Sequence, residues 1–330
     1  MIMRLNYTLE LVMIVDSEMY QKIFNRTGNY AEQVDDEKYV DQSLVSKGLL
    51  VTYHDKQYKK KIIITVDLNV ILNGDEPCRD NADKLIRKLE KQVDKHFKSQ
   101  LQLDDFNLSK LYLATDINVA SRNKVSDYIR VLRRIRKVKG FSPARDNNIN
   151  NDTGLCLDGN SNGFVFRLYD LEGYLKELSR EVTSNSEELK AQANKSVGLL
   201  RAEVRLVKST AIRACTDEFL TSGQIAELCA KGQSVFLEIF THIIPFGDFY
   251  KKDKTVGIIC KKVTDAKIRR RMLNLVTLVT EKKSLLLAQK ELSHRRIKEV
   301  MAEFREIELS PVTISKRHDI KQLDNLYKFM

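Results

Sequence analysis

Polar and apolar positions alternate with a period of two in several parts of this chain, and each such run predicts a strand. Leu5–Val15 is the first, with Val12-Met-Ile-Val15 as its apolar centre. Gly48–Tyr53 and Lys61–Leu68 read as neighbours, because His54-Asp-Lys-Gln57 between them suits a turn. Ile62-Ile-Ile-Thr-Val66 is rich in β-branched residues, which fit a pleated surface. Further strands are expected at Leu108–Ile117, Gly163–Tyr169 and Gly198–Leu206.

Elsewhere the period lengthens toward that of a helix. Leu85, Leu89, Val93 and Phe97 form one stripe on a helix that Asp80 or Asn81 can cap, after a break at Asn73-Gly-Asp-Glu-Pro77. Ser121 can cap a second helix through about Lys137, with Val125, Tyr128, Ile129, Leu132 and Ile135 on its apolar face. Leu171–Glu181 predicts a third, followed by the polar segment Thr183–Ser196. Residues 25–46 read as a polar insertion or loop, and Ser142–Asn162 as a loop rich in Asn, Asp, Ser and Gly. From residue 48 the order is β-β-α-β-α-β-α-β. It predicts an α+β fold: an antiparallel sheet with helices packed on one face and the other face open. This unit resembles an elaborated ferredoxin-like or RNA-recognition-like palm.

The pattern after residue 207 is mainly helical. Short helices are expected from Thr221 or Ser222 to Cys229 and over the apolar segment Ser234–Ile243. Others follow from Thr264 or Asp265 to about Val279, and over Lys282–Phe304. Pro311 breaks the chain, and Ser315–Phe329 predicts a last short helix. The chain thus divides into an N-terminal extension or first strand (1–46), a palm (47–207) and a basic helical region (208–330).

Charge adds direction. The formal net charge is +11, and residues 251–300 hold 15 Lys and Arg against 5 Asp and Glu, so nearly all of the surplus sits there. Such a surplus favours polyanions, nucleic acid first. Five scattered cysteines match no zinc-site spacing and suit a reducing cytoplasm. No apolar run has the length of a membrane span. Glu10 and Asp16 near the start argue against a signal peptide.

The candidate chemistry lies on the strands. Period-two geometry places Tyr112, Ala114, Asp116 and Asn118 on one face, and likewise Arg201, Glu203 and Arg205. Asp116 and Glu203 converge if their strands are neighbours, with Asp170 at the rim. Carboxylate oxygens of this kind suit Mg2+ or Mn2+, and Arg201 and Arg205 suit bidentate phosphate binding. The alternative is a solvated sheet face crossed by salt bridges. For a nucleophile, Tyr250 stands out in Phe246-Gly-Asp-Phe-Tyr-Lys-Lys-Asp-Lys254, where Lys251 and Lys252 would favour the phenolate and screen a phosphodiester. A basic surface turn anchored by an aromatic ring is the competing reading. Tyr128, Tyr169 and Tyr174 fit packing better, and His242 reads as a satisfied core residue. Arg269, Arg270 and Arg271, with Arg295, Arg296 and Lys298, would grip backbone phosphate. A solvated helix face is the alternative there too.

Three short motifs carry a resemblance. They are Lys110-Leu-Tyr-Leu-Ala-Thr-Asp116, Arg167-Leu-Tyr-Asp-Leu171 and Arg201-Ala-Glu-Val-Arg205. Over roughly residues 48–260 the chain resembles the rolling-circle replication initiators and transposon relaxases of Gram-positive plasmids, phages and integrative elements. Where that family has a first acid and a lysine, this chain has Tyr112 and Leu171. The resemblance implies a site-specific DNA nickase with Asp116 and Glu203 as ligands of a divalent metal. The nucleophile would be a tyrosine some tens of residues beyond the glutamate, which indicates Tyr250. It also implies origin DNA, single-stranded at the nick, as substrate. A homodimer, a host helicase as partner and no membrane complete the expectation. A DNA-binding replication regulator without catalysis is the alternative. An RNA-binding protein ranks lower, because the sheet lacks an evident pair of stacking aromatics.

Overall fold

A computed structural model describes residues 3–144, 149, 153–181, 186–292 and 294–330. Its centre is a ten-stranded antiparallel sheet. The strands are β1 (Asn6–Val15), β2 (Ala31–Asp35), β3 (Lys38–Asp41), β4 (Leu49–Lys56), β5 (Lys59–Asp67), β6 (Asn107–Asn118), β7 (Ser142–Pro143), β8 (Gly154–Asp158), β9 (Phe164–Asp170) and β10 (Leu199–Leu206). They lie in the order β2-β3-β4-β5-β1-β6-β10-β9-β8-β7. The first strand is therefore central, paired on one side with β5 and on the other with β6. The main strand of the N-terminal segment thus lies in the middle of the sheet.

The helices of the first two thirds are α1 (Ser17–Thr27), α2 (Leu68–Ile71), α3 (Ala82–His96), α4 (Arg122–Leu132), α5 (Leu171–Glu181), α6 (Ser186–Lys195) and α7 (Ser209–Arg213). Asp16 caps α1 and Ser121 caps α4, each side-chain oxygen accepting from a backbone N–H in the first turn. The expected stripe on α3 is buried at Leu85, Leu89 and Val93. Two expected loops contain regular structure. Residues 25–46 hold the end of α1 and the β2–β3 hairpin, and β7 and β8 fall within Ser142–Asn162. The hairpin gave no alternating signal because β2 is a solvent-exposed edge with little apolar surface to bury. The polar segment after α5 is largely the helix α6.

The C-terminal region is mainly helical, as expected. It contains α8 (Thr221–Ile243), α9 (Lys252–Lys262), α10 (Ala266–Lys282), α11 (Leu285–Lys290) and α12 (His294–Glu306), with a two-stranded ribbon of β11 (Phe249–Tyr250) and β12 (Gln322–Leu323). The two short segments expected over 221–243 are one helix of 23 residues. Its mid-helix Gly232 marks a close approach and not a break. A Cβ there would sit 2.5 Å from the Tyr7 hydroxyl on β1. The last segment, expected as a helix, forms β12 and a short 3-10 turn at Leu326–Phe329.

One sheet face is apolar. Leu111, Leu113, Leu200, Ala202, Val204 and Phe166 are fully buried on it. The Tyr7–Gly232 approach and a Phe166–Phe240 ring contact seat α8 on this face. A continuous apolar core runs from Met3 to Leu326, so sheet and helical region bury one another. Among the described residues, no helix is long and apolar enough to cross a membrane.

Candidate nucleic-acid interface

The strands bearing the three motifs lie side by side. Register places Arg201 opposite Asp116 and Arg205 opposite Tyr112 across β10–β6, and Glu203 opposite Arg167 across β10–β9. Tyr112, Asp116, Arg167, Tyr169, Arg201, Glu203 and Arg205 thus share the polar face. Asp116 and Glu203 are on one face of adjacent strands, as period-two reading requires.

Each carboxylate is held by arginine. Arg201 donates from Nε and Nη2 to the two oxygens of Asp116, at 2.6 and 2.8 Å. This bidentate fork is the strong form of the pair. Burial opposes the Arg201 charge, but the hydrogen bonds and charge of Asp116 outweigh it and raise the guanidinium pKa. Glu203, only 7% exposed, faces Arg167 at 3.3 Å and Arg205 at 3.0 Å. Arg205 also lies over the Tyr112 ring at 4.8 Å, and Arg167 over Tyr169 and Tyr174 at 5.1 and 5.8 Å. The contact with Tyr174 shows that α5 lies over this end of the polar face, which is therefore partly covered.

Asp170 departs from the expectation. Its register partner is Leu200, a buried core-face residue, so it has the opposite parity from Asp116 and Glu203. Its carboxylate accepts from the backbone N–H groups of Gly173 and Glu172 at the start of α5, and burial still raises its pKa. It works as a helix cap. Beside it, Glu172 pairs with Arg122 of α4 and Lys176, and the Arg122 hydrogen bond leads in lowering its pKa.

The three acids expected as metal ligands therefore do not fit a divalent ion as arranged. Both Asp116 oxygens are occupied, Glu203 is shared between two guanidinium groups, and Asp170 faces elsewhere. Among the described residues, no group of three or more His, Cys, Asp or Glu side chains is disposed to hold a metal.

Tyr250 lies in the other layer. Its strand pairs with β12, Asp248 accepts from the Asn325 N–H, and Tyr327 bonds the Ile244 carbonyl and packs on Phe240 of α8. These contacts tie the segment to the helices on the apolar face, away from Asp116 and Glu203. Its phenol donates to Asp248 at 3.4 Å, and Lys254 sits over the ring at 4.5 Å. Burial and then the Asp248 charge raise its pKa, the reverse of the expected phenolate stabilisation. Tyr112 shares the carboxylate face and is half-buried; burial raises its pKa against the lowering effect of Lys110.

No family model matches this chain, and no characterised protein or solved structure shows significant similarity to it. The residues and their geometry alone carry the functional reading.

The expected basic surface is present in part. Arg270 and Arg296 are exposed and line an open concavity with Lys267, Arg271 and Asn274. Lys298 is exposed on α12. Arg269 instead donates to the Val263 carbonyl, and Arg271 pairs with Glu299 at 3.1 Å. Lys251 and Lys252 are half-buried beside Tyr250. The Arg295 side chain lies outside the described residues. His242 is exposed, not buried, with Nε2 2.7 Å from the Lys139 carbonyl.

Proposed function

We propose that this protein is a DNA-binding replication initiator of the rolling-circle type, built on an elaborated ferredoxin-like palm and acting on origin DNA in the cytoplasm. The observation that carries the reading is the adjacency of β6, β10 and β9. The three motif segments, distant in sequence, bring Tyr112, three arginines and two carboxylates to one face. Arginine is the residue suited to phosphodiester oxygens, since its planar fork binds two at once. A DNA strand laid on this face would compete with Asp116 for Arg201 and with Glu203 for Arg205. The basic C-terminal helices would hold flanking DNA by its phosphates.

In the nicking step, a tyrosine oxygen attacks the phosphorus, a P–O(Tyr) bond forms and the P–O3′ bond breaks. The phenolic proton leaves with the base that takes it, and the released 3′-oxygen gains a proton to become the primer hydroxyl. Tyr112 is better placed than Tyr250 for a phosphate on this face. Mg2+ or Mn2+ at Asp116 would require Arg201 to leave first, so no step is assigned to a metal.

A second reading, a DNA-binding replication regulator without catalysis, is favoured by the occupation of both carboxylates by arginine. One experiment separates them. Labelled single-stranded DNA tiled across the encoding element is incubated with wild type, Tyr112→Phe and Tyr250→Phe, with and without Mn2+, and resolved on denaturing gels. A covalent adduct lost in Tyr112→Phe supports the nickase with its nucleophile on the sheet. Loss in Tyr250→Phe alone moves the nucleophile. Site-specific binding with no adduct in any lane leaves the regulator.

A further inference from the structure

The open face of the sheet continues well beyond the three motif strands. Thr8 of β1 lies opposite Tyr112, so parity puts Glu10, Val12 and Ile14 on the same face as Tyr112. Ile14 lies opposite Lys61 of β5, Lys61 opposite His54 of β4, and His54 opposite Lys38 of β3. Lys38, His54 and Lys61 therefore form a row across three neighbouring strands, each about 4.8 Å from the next. All three are partly exposed. The row lies about 20 Å along β1 from the level of Tyr112 and Arg205.

The face between these two levels is largely apolar. Val40, Thr52, Ile63 and Val12 lie side by side in the next row, and Ile14, at the end of the cationic row, is 59% exposed. Leu50, Thr65 and the Lys110–Glu10 pair, at 2.9 Å, follow toward Tyr112. A sheet face that leaves isoleucine in water and carries cations at both ends suits a partner with anionic groups spaced along a less polar body.

His54 is the informative member of the row. Burial leads in lowering its pKa below the ordinary 6.5, Lys38, Lys61 and Lys56 add to the effect, and Asp35 opposes it. Lys56 also lies 4.0 Å from Glu37, while Asp55 pairs with Lys60 on the helical face, where Lys60 sits over the Tyr20 ring. The His54 ring is therefore neutral at pH 7. A phosphate on the row would bring negative charge beside it, so phosphate binding and protonation of the ring favour one another.

We propose that the Lys38–His54–Lys61 row is a backbone-phosphate subsite for single-stranded DNA crossing the open face, and that His54 takes up a proton from solvent as the strand binds. This deepens the DNA-binding reading above and rests on it. The strand would span from the arginines of β10 to the far margin of the sheet, with sugars and bases over the apolar rows and phosphates at the two cationic ends.

The test uses the full chain and a fluorescein-labelled single-stranded 30-mer of mixed sequence, in phosphate-free buffers at about 0.1 M salt. Proton NMR of the His54 ring, assigned with His54→Gln, follows its titration with and without DNA. The ring should titrate below 6.5 in the free protein and above it in the complex. Wild-type affinity should rise about fivefold from pH 8 to pH 6 beyond any rise in His54→Gln, since one proton is taken up. Lys38→Gln/Lys61→Gln should bind about tenfold more weakly at pH 7 and should raise the His54 pKa of the free protein. Circular dichroism checks the folding of the variants, and the wild-type ring titration decides by itself if the double variant does not fold. A His54 pKa unmoved by bound DNA, or a pH profile that His54→Gln shares, overturns the subsite and leaves the DNA-binding reading standing. A wild type that binds no DNA overturns both. A ring that responds to sodium tripolyphosphate and not to DNA would mark a free-anion site, and one that responds only to protein concentration would mark a contact between copies of the chain; the proposal fails in either case.

Discussion

Glu203 and Arg167 are both nearly inaccessible, with side chains 9% and 2% exposed. Charges kept from water in this way depend on their ion-pair partners, and Glu203 has Arg205 at 3.0 Å as well as Arg167 at 3.3 Å. Arg167→Met removes one partner and leaves Glu203 facing only what remains around it. It should lower unfolding free energy by about 3–5 kcal/mol, read from urea denaturation. The double variant Arg167→Met/Glu203→Met should recover much of that loss, and a double variant as unstable as the single one would refute the pairing. Glu172 gives a pH-dependent counterpart. Arg122 and Lys176 depress its folded pKa below the ordinary 4.5, so its stabilising effect is complete above that value and fades as pH falls through the lower folded one. Glu172→Gln should therefore be less stable than wild type at pH 7. Its urea midpoint should also fall less between pH 5 and 3. The alternation of Arg201, Glu203 and Arg205 was legible in the sequence because strand parity fixes the face. The cross-strand pairs Arg201–Asp116 and Arg167–Glu203 were not, since they depend on strand order. Asp170 misled for a related reason: at a strand end, its parity and its cap on α5 are decided by the backbone that follows.

At the level of the element, α8 shows how a local signal can point two ways. Gly232 suggests a helix break, and glycine costs a helix interior about 1 kcal/mol relative to alanine. Yet the added methyl of Gly232→Ala would meet the Tyr7 ring at 2.5–2.9 Å, inside the core. Overpacking of that kind costs about 1–3 kcal/mol. The variant should therefore be destabilised despite its better helix propensity, as thermal or urea unfolding would show. An unchanged or raised midpoint would mean that α8 does not pack against β1. Strands β1, β4, β5, β6, β9 and β10 were readable because each buries one face. β2 and β3 were not, because they bury little apolar surface at the margin of the sheet; β3 is identified by pairing with β4, and the edge strand β2 by pairing with β3.

For the whole molecule, the central position of β1 ties the N-terminal segment to the strands that follow it. A fragment of residues 47–207 would lack the strand that joins β5 to β6, and its apolar face would lack α8. It should not fold cooperatively. A sigmoidal urea transition with dispersed amide resonances from that fragment would contradict the topology. The α+β composition and the helical end were visible along the chain. The place of β1 and the layer that holds Tyr250 were not, because each is a relation between segments far apart in sequence.

The same long-range pairing has a consequence during synthesis. Strand β6 ends at Asn118, but the helix that covers Leu113 and its neighbours begins only at Thr221. At a translation rate of about 5–20 residues per second, a wide apolar surface waits on the ribosome for on the order of ten seconds. The nascent chain passes through a sticky, half-roofed state, so its yield in the cell should depend on chaperone supply and on slower synthesis at lower temperature more than the stability of the finished protein would suggest.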